Sequence, residues 1–202
     1  MPDVDSLCEL VIEAFQLAIV EFYEKDGALF DYPKDGGNSF IGERSMVFRI
    51  GHYMANTIEP ILLRHGLNID CEYNRHLHDV KELDGSRIIP DLLVHQRLVD
   101  QNNLMIFEFK KGYSTGGFRE KNYDKKSDLK KLRGLTHPEK SYHYRYGLYV
   151  ELNEAKVHTE VFRNSRLHCN ADYLIHDKIW SGAKGKKQVK AGDLSAFFIM
   201  DD

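Results

Sequence analysis

The chain has 202 residues, 42% hydrophobic and 29% charged, with 11 Tyr and 11 Phe, enough for one sizeable core and too few for two full domains. A formal net charge of -3 argues against a surface that grips phosphates uniformly. Three cysteines, Cys8, Cys71 and Cys169, are odd in number and form no CxxC pair, which argues against a disulfide frame or zinc ribbon and for reduced thiols in the cytoplasm.

The first element is an amphipathic helix from Leu7 to Phe22, interrupted at helical spacing by Glu9, Glu13, Gln16 and Glu21. It lacks a basic flank and a small-residue cleavage site, so it reads as neither signal nor membrane anchor. Residues 1–35 hold nine acids against two bases, whereas the rest of the chain holds 26 bases against 22 acids. We therefore divide the chain into an acidic amino-terminal helical segment, 1–35, and a single domain, 36–202. The acidic helix is expected to be a packing arm, a partner-binding segment or a cover for a cleft.

After Gly36 and Gly37 a second helix is expected, capped by Asn38 or Ser39 and apolar from Phe40 onward. At about 100° per residue, Glu43 shares an azimuth with Val47, Ile50 and Met54 and lies on the core-facing stripe. An unpaired carboxylate is rarely buried, so Glu43 should face a cation, a lysine or a water-filled site, unless it sits exposed at a frayed helix start. A strand from Ile69 to Arg75 follows and carries Glu72, a rival acid. His76, His78 and Asp79 are read as an exposed hairpin end.

Two further strands are expected at Arg87–Arg97 and Leu104–Lys111, joined by a turn at Asp100, Gln101, Asn102 and Asn103. Alternation puts Ile106, Glu108 and Lys110 on one face, and Phe107, Phe109 and Lys111 on the other. A turn centred between residues 100 and 101 sets Asp91 opposite Lys110, with Glu108 as their diagonal neighbour. Two convergent carboxylates suit a hard divalent cation such as Mg2+, with Mn2+ expected to substitute. The adjacent lysine is suited to orient or help deprotonate a water and to offset charge on a phosphorane-like transition state.

Gly112 to Phe118 is rich in glycine but lacks the Gly-Lys-Ser/Thr ending of a phosphate-binding loop, so a flexible loop at a cleft mouth is expected. Arg119 to Arg133 holds seven bases against three acids and reads as a phosphate-contacting helix whose Leu129, Leu132 and Leu135 pack inward. Strands at Tyr144–Leu152 and Lys156–Phe162 continue the sheet. His168, Cys169 and His176 lack a fourth ligand, Ser181 to Lys187 reads as a linker, and Leu194 to Met200 as a short terminal segment. The order predicts an α/β fold of three layers, a central mixed sheet with helices on both faces.

Glu43, then the strand carrying Glu72, then Pro90-Asp91, then Glu108-Phe109-Lys110, then a helix, resembles the PD-(D/E)XK nuclease superfamily with its restriction-endonuclease-like core, over about residues 38–165. The wording Gly42 to Arg49, Asp70 to Arg75 and Pro90 to His95 is similar to small prokaryotic members. The resemblance implies that Asp91 and Glu108 hold metal together with the Phe109 carbonyl, that Lys110 serves the water, and that Glu43 completes the acidic set. It also implies a Mg2+-dependent endonuclease, with DNA favoured over RNA, and a homodimer on DNA; the stripe Leu7, Leu10, Val11, Ala14, Phe15, Ala18 and Phe22, recurring at three- and four-residue steps, is the candidate interface, unless it packs on its own sheet. A nucleic-acid-binding module without turnover, and a protein-interaction domain built on the acidic helix, are the alternatives.

Overall fold

The computed structural model describes residues 4–30, 41–76, 79–99, 102–112, 122–153, 156–176, 179–182 and 188–190. Along them run α1 (Val4–Asp26), a 3-10 turn (Gly27–Phe30), α2 (Glu43–Arg64), β1 (Asn68–Cys71), β2 (Arg75–His76), β3 (Asp79–Val80), β4 (Glu82–Leu83) and β5 (Ser86–Arg87). Then follow β6 (Leu92–His95), β7 (Asn103–Lys111), α3 (Asn122–Leu135), β8 (Tyr146–Leu152), β9 (Lys156–Arg163), β10 (Arg166–His176), β11 (Ile179–Gly182) and β12 (Gln188–Lys190). Eight strands form one sheet in the order β1-β6-β7-β8-β9-β10-β11-β12. Only β7 and β8 pair in parallel within it; every other neighbour is antiparallel. A parallel pair needs a crossover, and the segment containing α3 supplies it.

Alternation along the central strands divides the core in two. Met105, Phe107 and Phe109 join Leu92, Val94, Leu148 and Val150 on the face covered by α1 and α2. Leu93, Ile106, Tyr149 and Phe162 join Leu132 and Leu135 of α3 on the other. The fold is therefore a three-layer α/β/α arrangement around a mixed sheet. Phe15 of α1 packs at 5.3 Å from the Phe107 ring and 6.2 Å from that of Phe109. Gly51 lets α2 approach the sheet closely, since a Cβ there would lie 3.1 Å from Leu92 Cδ1 and 3.2 Å from Cys71 Sγ.

The apolar stripe of α1 is covered within the chain: Val11, Phe15, Ala18 and Phe22 are almost wholly inaccessible. Those positions pack within the protein's own core, against the sheet and α2. Among the described residues no helix is long and apolar enough to cross a membrane. Cys8 is buried and Cys71 exposed, and neither is in a disulfide.

Several boundaries differ from expectation. Helix α2 starts at Glu43 with Gly42 as a cap that offers no side chain; Asn38, Ser39 and Phe40 lie outside the described residues. Strand β1 stops at Cys71 because Glu72 turns into the left-handed region at φ 50°. The expected strand Arg87–Arg97 is shorter, with β6 beginning only at Leu92, since Pro90 has no N–H to give a ladder. Strands β10 to β12, longer than any reading of the tail foresaw, extend the sheet, and Ser181 and Gly182 belong to β11 rather than to a linker. Polar residues Arg166, His168, Asn170 and Asp172 alternate along β10 and dilute its apolar signal. The glycine-rich loop beyond Gly112 and the segment Leu194 to Met200 lie outside the described residues, as do the side chains of His76, His78 and His176.

Candidate active site

The β6–β7 pairing sets the centre of the site. Leu92 pairs with Phe107, Leu93 with Ile106 and Val94 with Met105. One step further along this register, Asp91 stands across from Glu108, not Lys110 as the sequence predicts. The turn is centred nearer residue 99, where the Gln96 N–H donates to the Asn102 carbonyl at 3.2 Å, and an irregularity after Val94 absorbs one more residue. The offset is two residues, so parity survives and Asp91, Glu108 and Lys110 keep one face. Asp91 is pinned by its Oδ2, which accepts the Phe109 N–H at 2.7 Å.

Glu108 is buried on the α3 side of the sheet, and Lys131 of α3 reaches it, Nζ lying 2.6 Å from Oε2. The other oxygen, Oε1, is buried without a hydrogen-bond partner among the described residues. Lys110 Nζ lies 3.2 Å from Glu43 Oε1 and 3.2 Å from Asp128 Oδ2. Lys131 also lies 3.4 Å from Asp128 Oδ1. Glu43, at the first position of α2, further accepts the Lys111 N–H at 3.4 Å. Lys111 itself points across the sheet and donates to the Ile41 carbonyl at 2.9 Å.

Burial dominates the electrostatics. It pushes Asp91 up to about 6, against the Phe109 N–H and the attraction of Lys131 and Lys110. It also pushes Glu108 up to about 8, against Lys131, while the nearby Asp91 charge adds to the rise. Burial lowers Lys131, but Glu108 and Asp128 outweigh it and hold that ammonium above the usual lysine value. The two partners thus pull opposite ways, one toward a neutral acid and one toward a charged pair. A separation of 2.6 Å is that of a charge-assisted bond, so we read the pair as ionised, with Glu108 raised by burial. Lys110 is lowered by burial and raised more strongly by Asp128 and Glu43, so it stays protonated.

Four carboxylates, Glu43, Asp91, Glu108 and Asp128, thus meet two ammonium groups. Negative charge is in surplus, and Glu108 Oε1 is an orphaned buried acceptor; both features fit a divalent cation between Asp91 and Glu108. Among the described residues no three His, Cys, Asp or Glu side chains gather as a metal-holding group. The Glu43 carboxylate is turned to Lys110 in this arrangement. Glu72, the rival third acid, turns its carboxylate to Arg44 at 2.9 Å on the surface.

Lys131 and Asp128 escaped the sequence reading, which treated the α3 bases as a phosphate-facing surface. That surface is in part neutralised within the chain, Lys125 pairing with Glu160 at 2.7 Å and Lys130 with Asp84 at 3.2 Å. The signal for Asp128 was present: it precedes Leu132 by four and Leu135 by seven, an acid on a core stripe, just as Glu43 precedes Val47.

The sequence matches no family model and no curated protein. Among solved structures, the cryoEM structure of a DrdV-DNA complex contains a chain to which this one is similar, with a TM-score of 0.42 and 14% identity over 94% of this chain. The match covers 13% of that chain, so the present protein spans a small part of its length.

Desolvation of Asp91 gives a pH test. Because its folded value is raised to about 6, the folded state keeps a proton that the unfolded chain has released. The stability this contributes is complete at pH values below the unfolded carboxylate value, near 4, and is lost as pH climbs through 6. Asp91→Asn keeps an acceptor for the Phe109 N–H and removes the charge. It is expected to exceed wild type in stability by about 1–3 kcal/mol at pH 8 without divalent cations, and to equal it at pH 4. Urea midpoints measured at both pH values decide this; equal midpoints at pH 8 would mean that the carboxylate is not desolvated.

Proposed function

We propose that this protein is a divalent-cation-dependent endonuclease that hydrolyses phosphodiester bonds of DNA. The observation that carries the reading is the opposition of Asp91 and Glu108 across the β6–β7 pair, with Glu108 Oε1 unpartnered and the cationic Lys110 on the same face. Asp91, Glu108 and the Phe109 carbonyl would hold Mg2+, or Mn2+ in its place. When bound, such an ion supplies Lewis-acid polarisation of the phosphate and of a water.

The chain's own residues do the rest. Lys110 is held protonated by Asp128 and Glu43, which makes it a donor and a positive charge rather than a base. It orients the attacking water and offsets charge building on the phosphoryl oxygens. Glu43 keeps the ammonium at the end of β7, and Lys131 fixes one oxygen of Glu108 so that the other is free. The preference for DNA follows the superfamily resemblance.

Purified protein incubated with supercoiled plasmid is expected to nick it with Mg2+ or Mn2+ and not with EDTA. The Lys131–Glu108 ion pair favours a second reading, a nucleic-acid-binding module whose acid is neutralised from within. That module would retard DNA in a gel with the plasmid left intact, an outcome that would overturn the nuclease.

A further inference from the structure

Asp128 occupies a position where an aliphatic side chain would be the cheaper choice. It stands on the stripe by which α3 meets the sheet, with Leu132 and Leu135 fully buried one and two turns later, and is itself 8% exposed. A carboxylate there is unfavourable unless it is paired, and it is paired twice. Its two oxygens are divided between two lysines from different elements, Oδ2 at 3.2 Å from Lys110 of β7 and Oδ1 at 3.4 Å from Lys131 of α3. Oδ2 is buried and outside hydrogen-bond alignment with Lys110, so the attraction is chiefly Coulombic.

Two ammonium groups drawn to one spot repel each other unless an anion separates them. Glu43 alone is a poor anchor for Lys110, because it is 39% exposed and water competes for its carboxylate. Asp128 is shielded and touches both cations. We propose that Asp128 is the positioning residue of this site, holding Lys110 and Lys131 side by side so that Lys110 stays fixed near Asp91 while Lys131 stays on Glu108. The inference rests on the nuclease reading for the task of Lys110, but the anchoring itself is a property of the chain.

Asp128→Asn removes the charge and conserves the volume. Trace acetylation followed by peptide mass spectrometry reads the anchoring without any turnover: in wild type, Lys110 and Lys131 are expected to react more slowly than the exposed Lys126, and in Asp128→Asn Lys110 is expected to react several-fold faster than before while Lys126 is unchanged. Equal rates for all three lysines in wild type would overturn the proposal even if the variant failed to fold, as would an unchanged Lys110 rate in a folded variant. On DNA, Asp128→Asn is expected to lower kcat about 10–100-fold with KM within about threefold. In a Lys110→Met background it should cost little more, because the group it positions is already gone. Additive losses would refute positioning through Lys110. Wild-type protein that never nicks DNA would refute the nuclease instead, and the acetylation rates would still report on Asp128.

Discussion

Alanine at either Asp91 or Glu108 is expected to reduce metal-dependent nicking by about 10²–10³-fold or more, with the fold retained. The two carboxylates oppose each other on neighbouring strands, the Asp91 charge adds to the tendency of Glu108 to hold a proton, and a cation between them would relieve that repulsion. Removing one leaves the cation with half of its side-chain ligands. Glu108→Ala also frees Lys131, which keeps Asp128 as a partner at 3.4 Å, so collapse of α3 is not expected. Circular dichroism and a thermal melt verify the fold, and plasmid nicking over a Mg2+ titration measures the loss. Comparable nicking by wild type and Asp91→Ala, free of contaminating nuclease, would remove this site from consideration.

The adjacent lysines give the second large effect, and here strand parity makes the prediction. Lys110→Met is expected to lower the cleavage rate about 10²–10⁴-fold, whereas Lys111→Met should leave the chemistry nearly untouched. Lys110 shares the face of Glu108 and meets Glu43 and Asp128. Lys111 points the other way and ends on the Ile41 carbonyl, and its bond to Glu43 uses the main-chain N–H, which methionine retains. Single-turnover rates at saturating metal and DNA compare the two variants. A sensitive Lys111 beside a silent Lys110 would invert the face assignment of β7.

Much of this arrangement was legible in the sequence because period-2 and period-3.6 patterns report faces directly. The alternation Ile106, Phe107, Glu108, Phe109, Lys110 gave the two sides of β7, and the stripe Val47, Ile50, Met54 gave the buried side of α2. Glu43 was expected to face a cation, a lysine or a water-filled site, and it meets Lys110. Register was less legible, since it depends on where a turn closes and on a single irregularity, neither of which leaves a hydrophobic signature. The partner of Glu108 was hidden for another reason. A lysine within a run of bases reads as solvated surface until tertiary packing shows which one turns inward, and among the described residues Lys131 is the one paired with Glu108. Strand β10 was missed because polar residues recurring along a strand resemble loop composition.

The single parallel pair in the sheet has a consequence for how the protein folds. Only seven residues separate β6 from β7, so Asp91 and Glu108 meet after a short chain closure. Lys131 and Asp128, by contrast, arrive on a crossover that must dock before β8 can align beside β7. Closing that longer loop costs more chain entropy and rewards it only late. On that order the acids come together with Lys110 of β7 and Lys131 joins them afterwards, so the repulsion between Asp91 and Glu108 is met before α3 brings its own ammonium to Glu108. Folding rates should consequently respond to pH and to divalent cations through those two acids, well before any nucleic acid is present.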